Sequence, residues 1–66
     1  MNARDTFKVN DRVRLSVYGT DQRIRMGDTG KGTVRGFSRN GEQVRVQADD
    51  RAAVENYAVR WVELDQ

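Results

Sequence analysis

Two stretches of this chain alternate regularly between apolar and polar residues, and this alternation limits the folds open to it. In residues 12 to 18, the side chains of Val13, Leu15 and Val17 fall on one face. Residues 42 to 48 repeat the pattern. A period of two residues is typical of a strand with one buried face. We therefore predict strands over both stretches.

Turn-forming residues indicate how these strands are joined. Asn40 and Gly41 stand between residues 32–37, which are predicted to form another strand, and residues 42–48. Asn-Gly is a strong hairpin signal because both residues tolerate a positive φ. We therefore predict an antiparallel hairpin centred on these two residues.

The C-terminal third of the sequence predicts two further strands. A tight turn at residues 49–51 is followed by a strand over 53–57, a helical turn over 58–61 and a closing strand over 62–64. An amphipathic helix over residues 50–64 is the competing interpretation. The β-branched and aromatic residues in that segment form no 3.6-residue stripe, so we favour the strands.

Five short antiparallel strands in a 66-residue chain need to cover one another. Curling into a small barrel removes the exposed sheet edges. We therefore predict an all-β fold: a five-stranded antiparallel barrel over residues 8–66, with a flexible N-terminus over residues 1–7 and one short 3-10 turn before the last strand. The predicted core comprises Val13, Leu15, Val17, Val34, Val44, Val46, Ala48, Val54, Val59, Val62 and Leu64, with Phe37 and Trp61 at one end.

A long polar loop over residues 19–31 separates the first two strands. Loops of this length without secondary structure are uncommon unless they are functional or disordered. Loops on a rigid scaffold commonly carry binding residues. We interpret this segment as a binding loop, and the alternative is a mobile connection with solubilising charges.

Composition excludes several classes of site. The sequence contains no cysteine and no histidine, so disulfides and Cys- or His-based metal centres are excluded, and we predict no metal and no cofactor. No apolar run is long enough for a transmembrane helix. Missing cysteine fits a reducing compartment. We therefore expect a cytoplasmic monomer without a membrane partner.

Four segments resemble the SH3-like barrels of the KOW type. They are "NDRVRL", "GTVRGF", "QVRV" and "YAVRWVEL", and together they span about residues 8 to 64. The layout "DRVRLS…GTVxGFSR…VRV" is also similar to that of short bacterial and phage proteins. The resemblance implies the fold and a binding function, because KOW-type barrels often bind RNA or ribosome-associated partners.

Charge distribution favours RNA or DNA as the partner. Residues 1 to 45 hold ten Lys and Arg against five Asp and Glu, whereas residues 46 to 66 hold two against five. Arginine side chains contact phosphates, and aromatic side chains stack on bases. The predicted non-sequence-specific site comprises Arg14, Arg35 and Arg45 as a strand platform, Arg23, Arg25 and Lys31 from the loop, Arg39 at the hairpin tip, and Tyr18 and Phe37 as stacking residues.

Two other functions remain as alternatives. A protein–protein interaction module would use a groove formed by Tyr18, Tyr57 and Trp61, because aromatic residues line the peptide grooves of SH3-like barrels. The remote alternative is a tetramer similar to plasmid-type dihydrofolate reductase, which "DRVR" and "VENYAV" resemble in part. That family has a pore lysine where this chain has Leu15. We therefore predict that the protein is not an enzyme.

Overall fold

The structure is a computed structural model that describes residues 2 to 65. Five antiparallel strands form one sheet, with two short helices and one 3-10 turn beside it. The elements are α1 Ala3–Thr6, β1 Arg12–Leu15, α2 Val17–Asp21, β2 Lys31–Phe37, β3 Gln43–Ala48, β4 Val54–Ala58, the 3-10 turn Val59–Trp61 and β5 Val62–Leu64. The strand order across the sheet is β4-β3-β2-β1-β5.

The alternation in the sequence sets which side of the sheet is buried. Val13, Val34, Val44 and Val46 are all fully buried, and Val34 lies opposite Val46 in the β2–β3 pairing. We call this side of the sheet the inner side and the other the outer side. At the predicted hairpin, Gly41 has a φ of 75°, a conformation that favours glycine. The five antiparallel strands and the 3-10 turn before the last one are thus confirmed.

The sheet is not closed. It ends at β4 on one side and at β5 on the other, and within residues 2 to 65 these two strands do not pair. The closed barrel therefore stays a prediction. Among the same residues, no helix has the length and hydropathy needed to span a membrane.

Two predicted core residues are exposed. Val17 is 76% exposed because β1 ends at Leu15, three residues earlier than predicted. Helix α2 begins there, since the Ser16 side chain caps it by accepting a hydrogen bond from the Gly19 N–H (3.0 Å). Leu64 is 38% exposed at the end of β5. The buried core also contains Ala3, Phe7, Met26 and Tyr57, which the sequence patterns did not predict there.

The N-terminal segment packs against the domain, which differs from the flexible end predicted for residues 1–7. Asn2 caps α1, and the Ala3 N–H donates to the carbonyl of Gly41 (2.6 Å). Phe7 is 2% exposed and fills one end of the core. A phenylalanine buried this deeply contributes roughly 1.5 to 3 kcal/mol, which favours an ordered segment over residues 3 to 7. Met1 lies outside the described residues.

The segment over residues 19–31 is anchored to the inner side of the sheet. Met26 is fully buried, and the Tyr57 hydroxyl donates to the carbonyl of Arg25 (3.0 Å). The Asp50 carboxylate accepts a hydrogen bond from the Asp28 N–H (2.9 Å), and this bond lowers the pKa of Asp50. At its start, α2 packs so closely on the 3-10 turn that a Cβ at Gly19 would collide with the carbonyl of Trp61. The segment therefore covers the core on the inner side of the sheet.

Candidate nucleic-acid interface

The outer side of β2, β3 and β4 gathers arginine and amide side chains. Strand β3 alternates, so the side chains next to the buried Val44 and Val46 point outward. In the pairing of the strands, Arg45 lies opposite Gly36 of β2 on one side and Asn56 of β4 on the other. We call this surface, together with the hairpin tip, the hairpin face; it comprises Thr33, Arg35, Arg39, Gln43, Arg45, Gln47 and Asn56.

Arg35 is oriented by a neighbour on the next strand. It lies at the β-bulge between Val34 and Gly36. Its Nε donates to the Oε1 of Gln47 (3.0 Å), and Gln47 in turn donates to the carbonyls of Arg51 (3.1 Å) and Ala52 (3.3 Å). This chain of hydrogen bonds holds the Arg35 stem while its two Nη groups stay available to a ligand.

Arg45 lies across a position that has no side chain. A Cβ at Gly36 would be 3.9 Å from the Arg45 Cδ, so the aliphatic stem has room to lie over the strand. Arg35, Arg39 and Arg45 make no ion pair with any carboxylate in residues 2 to 65. Three guanidinium groups without a carboxylate partner on one surface are suited to phosphate, which Arg recognises with its forked donors.

The hairpin tip that carries Arg39 is held by side-chain hydrogen bonds. Ser38 Oγ donates to Asn40 Oδ1 (2.8 Å), which also accepts from the Glu42 N–H (3.0 Å). Ser38 Oγ accepts in turn from the Gln43 N–H (3.0 Å). These bonds fix the backbone that presents Arg39, so its position depends on the turn, since its side chain makes no ion pair within residues 2 to 65.

The outer side of β1 and β5 is also rich in arginine, but its cations are paired. Arg12 binds Asp49 with two hydrogen bonds (2.6 and 2.7 Å), and Arg14 binds Glu63 with two (2.7 and 2.9 Å). Asp65 accepts from Arg14 at 3.4 Å and lies 3.7 Å from Lys31. We call this surface the paired side; it comprises Arg12, Arg14, Lys31, Asp49, Glu63 and Asp65.

Electrostatics on the paired side favour the charged forms of both partners. The hydrogen bond from Arg12 lowers the pKa of Asp49, and the hydrogen bond to Glu63 raises the pKa of Arg14. Arg14 and Lys31 were predicted to contact nucleic acid. In the structure both lie beside carboxylates of β5 and of the residue after it, and their contact with nucleic acid stays a prediction.

The loop arginines are not on the hairpin face. Residues 23 to 28 pack over the inner side of the sheet through Met26 and the bond from Tyr57 to the Arg25 carbonyl. The Arg25 guanidinium lies 3.9 Å from Asp28, and Arg23 is exposed. The structure therefore separates Arg23 and Arg25 from the hairpin face, and the predicted single basic surface is split in three.

The aromatic residues predicted to stack on bases also lie elsewhere. Phe37 pairs with the buried Val44 and is covered by the Arg4 guanidinium, 5.3 Å from the ring centre. Tyr18 lies on α2 beneath the guanidinium of Arg60, 5.5 Å away. The hairpin face thus offers arginines and amides without an aromatic platform.

The alternative peptide groove of three aromatic residues is also not formed. Tyr57 is only 4% exposed, and burial raises the pKa of its phenol. Its hydroxyl is used by the Arg25 carbonyl. Trp61 packs against the core, which leaves Tyr18 as the one exposed ring of the three.

Comparison with protein-family models, with curated proteins and with solved structures gives no match to this chain. The site is therefore interpreted from its own geometry.

Sequence reasoning missed the amide side chains of Gln43, Gln47 and Asn56. Part of this set was visible in the sequence, because Gln43 and Gln47 alternate with buried residues of β3 and therefore face outward, as Arg45 does. Asn56 joins them only through the pairing of β4 with β3. Amides supply both hydrogen-bond donors and acceptors, so they complement the arginines on this face.

An open groove adjoins the hairpin face. It lies between the hairpin tip and the 3-10 turn and has a volume of about 700 Å³. Its lining residues are Asn40, Glu42, Gln43, Ala58, Val59 and Arg60.

Proposed function

We propose that the protein binds RNA or DNA through the hairpin face, by contacts to phosphate and not by reading of sequence. The observation that carries this proposal is the collection of Arg35, Arg39 and Arg45, unpaired within residues 2 to 65, on a surface whose outward strand positions hold no carboxylate. Phosphate contacts supply most of the affinity of non-specific binding.

The proposal includes an SH3-like barrel of the KOW type as the scaffold. Three features of the open sheet support it: β5 lies beside β1, a long segment joins β1 to β2, and a 3-10 turn precedes β5. The resemblance of the sequence to KOW-type barrels agrees with an RNA-binding or DNA-binding function. Fold alone does not define function, so the arginines of the hairpin face remain the main support.

Salt dependence provides the first test. Three phosphate contacts on a single strand predict that log K falls with log salt with a slope of about −2, or about 20-fold between roughly 50 and 200 mM salt. Binding of a fluorescently labelled single-stranded RNA and a DNA duplex is followed by anisotropy at several salt concentrations. An absence of binding at low salt would refute the proposal.

A pair of matched variants locates the site. Arg35→Gln with Arg45→Gln removes two charges from the hairpin face, and Arg23→Gln with Arg25→Gln removes two from the loop. We expect the first variant to weaken binding at least tenfold and the second to change it less than threefold, because only the first removes the proposed phosphate contacts. Each lost phosphate contact should also lower the salt slope. Equal losses in both variants would point to net charge instead of a defined face.

A protein partner is the second candidate function, favoured by α2. Val17 is 76% exposed and Tyr18 is 44% exposed on this helix, although both are large apolar or aromatic side chains. Amide-resolved NMR titrations distinguish the candidates, since nucleic acid should shift signals of residues 35 to 47. A protein partner would leave those signals in place and shift residues 17 to 21.

A further inference from the structure

We propose that the groove beside the hairpin face accepts one unpaired base of a single-stranded nucleic acid. This inference rests on the proposed function, since the phosphates of the same strand would lie on the hairpin face. The hairpin supplies one wall of the groove, and the end of β4 with the 3-10 turn supplies the other: the lining residues are Asn40, Glu42 and Gln43 from the first and Ala58, Val59 and Arg60 from the second.

The chemistry of the first wall favours a base over a phosphate. Glu42 is exposed, and its carboxylate, which contacts only the Asn40 amide (3.4 Å) within residues 2 to 65, would repel a phosphate. A carboxylate accepts hydrogen bonds from amino groups, which cytosine and adenine carry. Uracil and thymine carry no amino group, so Glu42 predicts a preference against them.

Gln43 supplies a second polar contact. Its side chain is half-buried, and the side-chain amide makes no hydrogen bond within residues 2 to 65, whereas the backbone N–H donates to Ser38 Oγ. An amide offers one acceptor and two donor hydrogens, which complement the edge of a base. The Oδ1 of Asn40 already accepts hydrogen bonds from the Ser38 hydroxyl and the Glu42 N–H. We therefore assign Asn40 to the wall of the groove and not to the contacts with the base.

Arg60 supplies a planar group on the opposite wall. Its guanidinium lies over the Tyr18 ring and makes no ion pair within residues 2 to 65. The Ser16 hydroxyl donates to the Arg60 carbonyl (2.7 Å), which holds the backbone of the 3-10 turn in place. Arginine planes stack on unpaired bases in single-strand recognition.

The groove and the hairpin face are joined through β3. Gln43 and Arg45 point to the same side of this strand, two residues apart, which is a distance of roughly 7 Å. A strand with a phosphate on Arg45 therefore reaches the groove with a neighbouring base. A base inside a duplex is stacked and paired, so it cannot enter.

Short oligonucleotides of a single base test the proposal. Anisotropy is measured at several salt concentrations for oligo(C), oligo(A), oligo(U) and a duplex of the same length, with the wild-type protein, Gln43→Ala and Glu42→Gln. The control is Gln22→Ala, which removes an exposed amide side chain outside both the groove and the hairpin face. We expect wild type to bind oligo(C) and oligo(A) about fivefold more tightly than oligo(U), the effect of one net hydrogen bond.

Each outcome of this experiment decides the proposal. Gln43→Ala should lose about fivefold in affinity for oligo(C) with an unchanged salt slope, and Glu42→Gln should reduce the discrimination against oligo(U). Gln22→Ala should stay within twofold of wild type. Equal binding of all oligonucleotides and the duplex would overturn the base groove. If that binding is still lost in Arg35→Gln with Arg45→Gln, the proposed function stands. No binding of any oligonucleotide would overturn both.

Discussion

The hairpin face and the paired side carry arginines of the same kind on the same side of one sheet, yet their surroundings differ. On the paired side, Arg12 and Arg14 each make two hydrogen bonds to a carboxylate. On the hairpin face, Arg35 bonds to a neutral amide, and Arg45 pairs with no carboxylate within residues 2 to 65. The difference teaches that the availability of a cation depends on whether the fold places a carboxylate beside it, and counting basic residues does not reveal it.

The largest expected effect concerns the core beneath the two regions. Val46 in the central strand β3 is fully buried, and Val62 in the edge strand β5 is 5% exposed. Val46→Ala should lower the free energy of unfolding by about 2 to 3 kcal/mol by removing two methyl groups and leaving a cavity. Val62→Ala should cost less, because an edge strand relaxes more easily.

Thermal unfolding followed by circular dichroism measures both losses. For a domain of this size, Val46→Ala should lower the Tm by roughly 10 °C or more. An equal or larger loss for Val62→Ala would show that β5 supports the sheet as much as β3 does. That result would remove the structural distinction between the two regions.

The next effect tests the comparison directly. Arg35→Gln with Arg45→Gln should weaken binding of single-stranded RNA at least tenfold and reduce the salt slope by about 1.4, the contribution of two phosphates. Arg12→Gln with Arg14→Gln removes the same charge from the paired side and should change affinity less than threefold. Anisotropy titrations at several salt concentrations measure both, and a reversed order would contradict the assignment.

A smaller effect should appear when the paired side is partly released. Glu63→Gln removes the carboxylate that accepts two hydrogen bonds from Arg14. A freed Arg14 should add a phosphate contact, so affinity should rise about twofold and the salt slope should steepen by about 0.7. The control is Glu55→Gln, which removes an exposed carboxylate that pairs with no cation within residues 2 to 65. Equal gains in both variants would reflect net charge alone.

The smallest effect is a pH dependence confined to the paired side. Folding lowers the pKa of Asp49 from its ordinary value of 3.8, because Arg12 donates hydrogen bonds to its carboxylate. The stabilisation is therefore present above pH 3.8 and is lost as the pH falls through the lower folded-state pKa. The Tm of the wild type should exceed that of Asp49→Asn at neutral pH, and the gap should close in acid. A constant gap would show that the carboxylate's charge is not used.

Local sequence patterns predicted most of the sheet. The alternation around Val13 and through β3, and the turn at Gly41, act between near neighbours, so they are visible in the sequence. Helix α2 was not visible, since Val17, Tyr18 and Gly19 are poor helix formers. It forms because Ser16 caps it and because Gly19 fits against Trp61, which is far along the chain. The burial of Met26 likewise depends on long-range packing.

The residue types of the candidate site were predictable from the sequence, but the full set of residues that lie together was not. Arg35, Arg39 and Arg45 belong to one hairpin, so their proximity follows from local pairing. The ion pair of Arg14 follows from its position opposite Glu63, which depends on pairing between β1 and β5. Nothing local in the sequence signals that register, since the two residues are 49 positions apart.

The pairing of β1 with β5 has a consequence for synthesis of the chain. Contacts between residues far apart in sequence slow folding, and here β1 receives one of its two neighbours from residues 62 to 64. A nascent chain that has emerged only as far as β4 can form the β1–β4 meander but leaves one edge of β1 bare. At that moment Arg14 has neither Glu63 nor Asp65 beside it, so the growing polypeptide is more cationic than the finished sheet.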